Sequence, residues 1–149
     1  MTEQTTIEPI RVSLLVPLKP ADAFALFTDK MATWWPVASH SIGKSTVVGV
    51  VFEGRVGGAI CEVQADGTRE PWGEVLEYES GRRFVMSWQP SPDAPAPTEV
   101  EVVFEADGDG TRVALEHRGW ERLGELAAEA RSEYARGWTT VLACYTNVA

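Results

Sequence analysis

From Thr98 to Glu105 the chain reads TEVEVVFE, and apolar residues alternate with glutamates. Val100, Val102 and Phe104 fall on one face of an extended strand, and the glutamates fall on the other. Val113, Leu115 and His117 share a face in the same way, as do Phe84, Met86 and Trp88. Such alternation predicts an antiparallel sheet with one buried face and one wet face. Strands are expected near 10–16, 47–53, 58–64, 70–79, 82–89, 98–106 and 111–118. Turn chemistry separates them at Gly54 to Gly58, Asp66-Gly67, Ser80-Gly81 and Asp107 to Gly110. The connection at 90–97 is too rich in proline for strand or helix.

Two stretches change to the helical period. Pro20 stands where a helix can begin, and Ala23, Phe24 and Phe27 recur at helical spacing before Asp29. Trp34-Trp35-Pro36 closes that region, because the residue before a proline is biased away from helix. Residues 37–46 read as loop. From about Arg122 to Asn147 there is no proline, and Leu123, Ala127, Ala130, Tyr134, Trp138, Val141 and Tyr145 mark one apolar face. Glu121, Glu125, Glu129 and Glu133 form a solvated stripe opposite. A helix of this span is about 36 Å long, enough to lie across the sheet. The expected fold is α+β: a strand, two short helices, six strands and a covering helix. One domain over 10–149 follows a flexible tail at 1–9.

At 149 residues and 16.3 kDa, one domain accounts for the whole length. Acids outnumber bases by 22 to 13, giving a net charge of −9. Such a chain is repelled by phosphate backbones and anionic lipid, so neither nucleic acid nor a membrane surface is the expected partner. Cys61 and Cys144 stand far apart and form no CxxC pair, which fits a reducing compartment. The first residues lack a basic and apolar leader pattern, and no apolar run nears the roughly 18 residues of a spanning helix. A cytoplasmic protein is expected. Six tryptophans are the unusual feature, and they must fill a core or line a pocket.

Candidate chemistry is sparse. Gly43-Lys44-Ser45 ends like a phosphate-binding loop, but Ala38 stands where the motif needs its first glycine. His40 and His117 are the only histidines, too few and too far from the cysteines for a zinc site. No metal or other cofactor is expected. His117 shares the buried face with Val113 and Leu115, as a hydrogen-bonded core residue or as a polar group of a cavity. Glu62 and Glu74 are strand carboxylates, with Arg55 or Arg112 as candidate ion-pair partners; alternation puts Glu74 on the same face as Trp72. No nucleophile elbow, triad order or zinc-protease motif is present, so no catalytic residue is assigned. A helix with small residues at Ala127, Ala130 and Gly137 facing a tryptophan-rich sheet leaves room for a flat ligand.

Several motifs carry a resemblance. They are Trp34-Trp35-Pro36 followed by His40-Ser41-Ile42, the Arg55-Val56-Gly57-Gly58 turn leading to Glu62, and the Trp72-Gly73-Glu74-Val75 strand. Trp88, Gly110-Thr111-Arg112-Val113 and Glu116-His117-Arg118-Gly119-Trp120 complete the set. The chain resembles the START-like (SRPBCC, helix-grip) superfamily from about residue 12 to 145. Within it, the chain is similar to the branch related to the C-terminal domain of the activator of heat-shock-protein-90 ATPase. The resemblance implies a curved sheet gripping the C-terminal helix, with a cavity between them that often holds an apolar small molecule. The expected ligand-binding residues are Trp35, Glu62, Trp88, His117, Tyr134 and Trp138, with the aromatic rings as walls and His117 as a polar anchor. Two alternatives remain open. One is a co-chaperone-like module that contacts a chaperone or other protein, and the other is a cyclase or hydrolase using His117 with Glu62 or Glu74. Superfamily members differ in function, so the fold alone does not choose.

Overall fold

A computed structural model describes residues 7–36, 41, 46–89 and 96–149. Seven strands form one antiparallel sheet: β1 (Ile10–Val16), β2 (Val47–Phe52), β3 (Ala59–Gln64), β4 (Arg69–Glu79), β5 (Arg83–Trp88), β6 (Thr98–Asp107) and β7 (Gly110–Arg118). Their spatial order is β1-β7-β6-β5-β4-β3-β2. Six strands follow one another as a meander, and β1 closes against the last, with Ile10 opposite His117 and Val16 opposite Thr111. Between β1 and β2 come helix α1 (Pro20–Phe27) and a 3-10 turn at Met31–Thr33. Pro20 occupies the first turn of α1, where its missing N–H leaves no bond unmade. Helix α2 (Ala127–Val148) covers the inner face. The α+β helix-grip architecture is the one the alternation and the helical arc call for.

Burial follows the period-2 reading. Phe84, Met86, Trp88, Val100, Val102, Phe104, Val113, Leu115 and His117 are all buried, Phe84 and Phe104 against Phe24 and Phe27 of α1. The outer face carries a ladder of ion pairs across five strands. Arg11 meets Glu116 at 3.0 Å, Arg118 meets Glu116 at 2.8 Å and Glu101 at 2.7 Å, and Arg83 bridges Glu101 at 2.9 Å and Glu79 at 2.8 Å. Arg55 lies 3.7 Å from Glu53, and Arg112 lies 3.0 Å from Asp107, so neither serves the strand carboxylates Glu62 and Glu74.

The final helix starts later than its apolar arc implies. Trp120–Leu126 form a 3-10 segment, and Gly124 breaks it with φ 58° and ψ −125°, a backbone open essentially to glycine alone. The segment turns tightly off β7 and tucks Trp120 and Leu123 into the core. Glu121 and Glu125 therefore precede α2, while Glu129 and Glu133 are exposed on it.

Strand β4 also departs from simple alternation. Ile60 pairs with Gly73 but Cys61 pairs with Pro71, so Trp72 is an extra residue in the register. This bulge turns Trp72 and Val75 inward and leaves Glu74 exposed. Glu74 is thus no cavity acid. Gly73 permits the bulge, because a Cβ there would stand 1.8 Å from the Ser87 carbonyl oxygen of β5. The contact is held by Gln89 N–H donating to Trp72 O at 2.6 Å and Glu74 N–H donating to Ser87 Oγ at 2.9 Å. Gly73→Ala should therefore destabilise the fold by about 1–3 kcal/mol, the usual cost of forcing extra volume into a packed site. A urea midpoint unchanged from wild type would show that this close approach is dispensable.

The buried aromatic residues fall into two groups. Phe24, Phe27, Phe84, Phe104 and Tyr145 form one, with Trp34 packed between Phe27 at 5.1 Å and Tyr145 at 5.2 Å. Tyr145 Oη donates to the Ala23 carbonyl at 2.9 Å and ties the end of α2 to α1. The second group is built of tryptophan.

Candidate ligand-binding site

Four indoles from four parts of the chain meet under α2. Trp35 follows the 3-10 turn, Trp72 comes from the β4 bulge, Trp88 ends β5, and Trp138 sits midway along α2. Ring centroids are 4.9 Å apart for Trp35–Trp72, 5.7 Å for Trp72–Trp88, 5.5 Å for Trp88–Trp138 and 6.0 Å for Trp35–Trp138. All four side chains are buried. Their separations and tilts are those of favourable aromatic contacts.

Histidine 117 links this quartet to the sheet. Trp138 Nε1–H donates to His117 Nδ1 at 2.9 Å. An indole nitrogen is a donor only, so Nδ1 must be bare and the ring proton must sit on Nε2. Nε2–H then donates to Thr98 Oγ1 at 2.6 Å, and that hydroxyl donates to the Trp88 carbonyl at 3.1 Å. Both ring nitrogens of His117 and the Thr98 hydroxyl are thus satisfied with a neutral imidazole. Burial pushes the His117 pKa down to about 3. Trp120 flanks the imidazole at 4.2 Å and Tyr134 at 5.2 Å. Burial, and then the nearby Glu133 charge, raise the Tyr134 pKa to about 12.

Glu62 lies on the other side of the quartet, fully buried. Its carboxylate accepts from Trp72 Nε1 at 2.7 Å and from Gln64 Nε2 at 2.6 Å. A carboxylate in that position fixes the plane of the Trp72 ring. The arrangement gathers four indole rings in mutual contact, and the polar groups on either side hold two of them in place. Among the described residues, no three His, Cys, Asp or Glu side chains gather as a metal site.

A family model described as activator of Hsp90 ATPase homolog 1-like protein matches residues 17–144, most of the chain. The chain belongs to this family. Among solved structures, the anthrahydroquino-γ-pyrone synthase Txn09 is 31% identical, over 99% of this chain and 100% of that one, with a TM-score of 0.64. CalC from Micromonospora echinospora, a self-sacrificing resistance protein, is 27% identical over 94% of this chain and 92% of its own, with a TM-score of 0.71. The Aha1 dimer from Colwellia psychrerythraea shares the fold, at 16% identity over 95% of each chain and a TM-score of 0.65. A comparison with the curated proteins found no match. Among the described residues, no helix is long and apolar enough to cross a membrane.

In this member of the Hsp90-activator-like family, the six residues expected to line a site fall into one connected set. Trp35, Trp88 and Trp138 touch ring to ring, His117 adjoins Trp138, Tyr134 adjoins His117, and Glu62 reaches the group through Trp72. Three further contributors were not among those six: Trp72, Thr98 and Trp120. The glycine after Trp72 was the available signal for the first, since a tryptophan beside a required glycine marks a close backbone approach. Thr98 carried none, because its role depends on facing Trp88 across the β5–β6 pair. His40 and Gly43 to Ser45 lie outside the described residues.

Proposed function

We propose that the chain binds a small, flat, apolar or aromatic molecule between the sheet and α2. The observation that carries this reading is the quartet of Trp35, Trp72, Trp88 and Trp138, contributed by sheet, loop and helix to one place. Trp35, Trp88, Tyr134 and Trp138 serve as walls. His117 and Glu62 act as positioning residues, because they accept hydrogen bonds from the indoles of Trp138 and Trp72. A fused-ring ligand suits stacked indoles, and Txn09 at 31% identity is named for an anthrahydroquino-γ-pyrone.

The same relative is a synthase, which favours a second reading, ring closure of an aromatic precursor in this pocket. For proton transfer, His117 would have to release Trp138 or Thr98, or Glu62 would have to release Trp72 or Gln64. Native mass spectrometry of gently purified protein, paired with tryptophan-emission titrations against flat aromatic compounds, tests both. A retained small molecule and saturable quenching are expected. Conversion of a bound compound to a product of altered mass supports the synthase reading. Should no compound in a broad aromatic panel give a saturable change, the rings are core packing and the binding reading fails.

A further inference from the structure

We infer that the indole N–H of Trp88 is the pocket's hydrogen-bond donor, and that the ligand carries an uncharged aromatic carbonyl. The inference rests on the binding site proposed above and adds the chemistry of what it takes. Trp88 is 4% exposed, and among the described residues its Nε1 is a buried side-chain nitrogen with no hydrogen-bond partner. The contrast with its neighbours is the argument. Trp34 donates to Leu26 O at 2.8 Å, Trp72 to Glu62 at 2.7 Å, Trp120 to His117 O at 3.0 Å and Trp138 to His117 Nδ1 at 2.9 Å. The fold provides acceptors for indoles at deeply buried positions. It provides none for the indole whose ring lies against Trp35, Trp72 and Trp138 together. Buried donors are almost always satisfied, so an orphan at the centre of a candidate site marks a partner that arrives from outside.

Chemistry narrows that partner. A lone neutral N–H recognises an acceptor oxygen. The surrounding faces are indoles, so the oxygen must sit in or beside an aromatic plane. An oxygen entering this buried, indole-walled place gives up its water, which an anionic oxygen does only at high cost. A planar ketone or quinone meets all three conditions.

Fluorenone and fluorene test this directly, since they share a tricyclic frame and differ at the carbonyl. Fluorenone should bind the wild-type protein about tenfold more tightly, the effect of one added hydrogen bond in a dry site. Trp88→Phe keeps an aromatic wall without the N–H; whatever both compounds lose with the smaller ring, it should bring the ratio of the two affinities from about ten to about one. In nitrogen-15 spectra of the wild-type protein, one indole N–H should move downfield with fluorenone and not with fluorene. That spectrum decides the matter if the variant does not fold. Equal affinities, a preference that survives Trp88→Phe, or bound fluorenone that moves no indole N–H would each overturn the donor assignment while leaving the pocket standing. If neither compound binds, the pocket and the donor both fall.

Discussion

Trp138→Ala is expected to lower stability by about 3–5 kcal/mol, the cost of removing a buried large aromatic ring. The ring is 3% exposed and sits between Trp35, Trp88 and His117. Its loss opens a void between α2 and the sheet, and it also strips His117 Nδ1 of its donor. Domains of this size are commonly stable by only about 5–15 kcal/mol, so the variant should melt many degrees lower. Trp138→Phe helps separate the two contributions, because it removes the N–H while keeping an aromatic ring and so a smaller void. Its cost should be nearer about 1–3 kcal/mol, for an acceptor left bare in the core. Urea unfolding measures both. An alanine variant within about 1 kcal/mol of wild type would mean that α2 does not depend on this ring, and the gripping role assigned to the helix would fail.

Strand positions were legible in the sequence because burying one face of a sheet forces a period of two. Val100, Val102, Phe104, Val113 and Leu115 could not alternate as they do in any other structure. The apolar arc from Ala127 to Tyr145 was legible for the matching reason at period 3.6. Two backbone decisions were not. Gly124 sits inside an apolar arc that reads as continuous, and only its φ of 58° shows that the chain breaks there. The β4 bulge inverts the expected side for Glu74, because a single extra residue flips every later position. The residues of the candidate site were legible one by one, and the bonds among them were not. Tryptophan excess pointed to Trp35, Trp88 and Trp138, and strand alternation pointed to His117. That Trp138 would donate to His117, fixing its tautomer, depends on how α2 is set against β7, and no local pattern encodes that docking. His117, expected as a polar anchor, has both ring nitrogens engaged, as a strut between Trp138 and Thr98.

The same strut makes the protein acid-sensitive in a defined window. His117 has a folded pKa of about 3 against an ordinary 6.5, so between those values the unfolded chain holds a proton that the folded chain refuses. Stability from this group is fully present above pH 6.5 and is lost as the pH falls toward 3. Its slope approaches about 1.4 kcal/mol per pH unit within the window, and the whole loss is on the order of 5 kcal/mol. Among the described residues no charged side chain is bonded to the imidazole to rescue its protonated form; its side-chain bonds and ring contacts are with Thr98, Trp120, Tyr134 and Trp138. Charging Nδ1 would also set its new N–H against that of Trp138. Glu101 and Glu116 have carboxyls held below their usual 4.5 by Arg118 and its neighbours, so they add acid lability only in the lower part of the range. Measurement between pH 7 and 5 therefore isolates the histidines. His117→Asn retains an oxygen acceptor toward Trp138 and cannot titrate, so it should be less stable than wild type at pH 7 and lose little further stability down to pH 5. Because His40 is unchanged in that variant, its own titration cancels in the comparison. Parallel stability curves for the two proteins across pH 7 to 5 would show that His117 is already accessible to protons in the folded state, and would break the Trp138–His117–Thr98 series that ties α2 to the sheet.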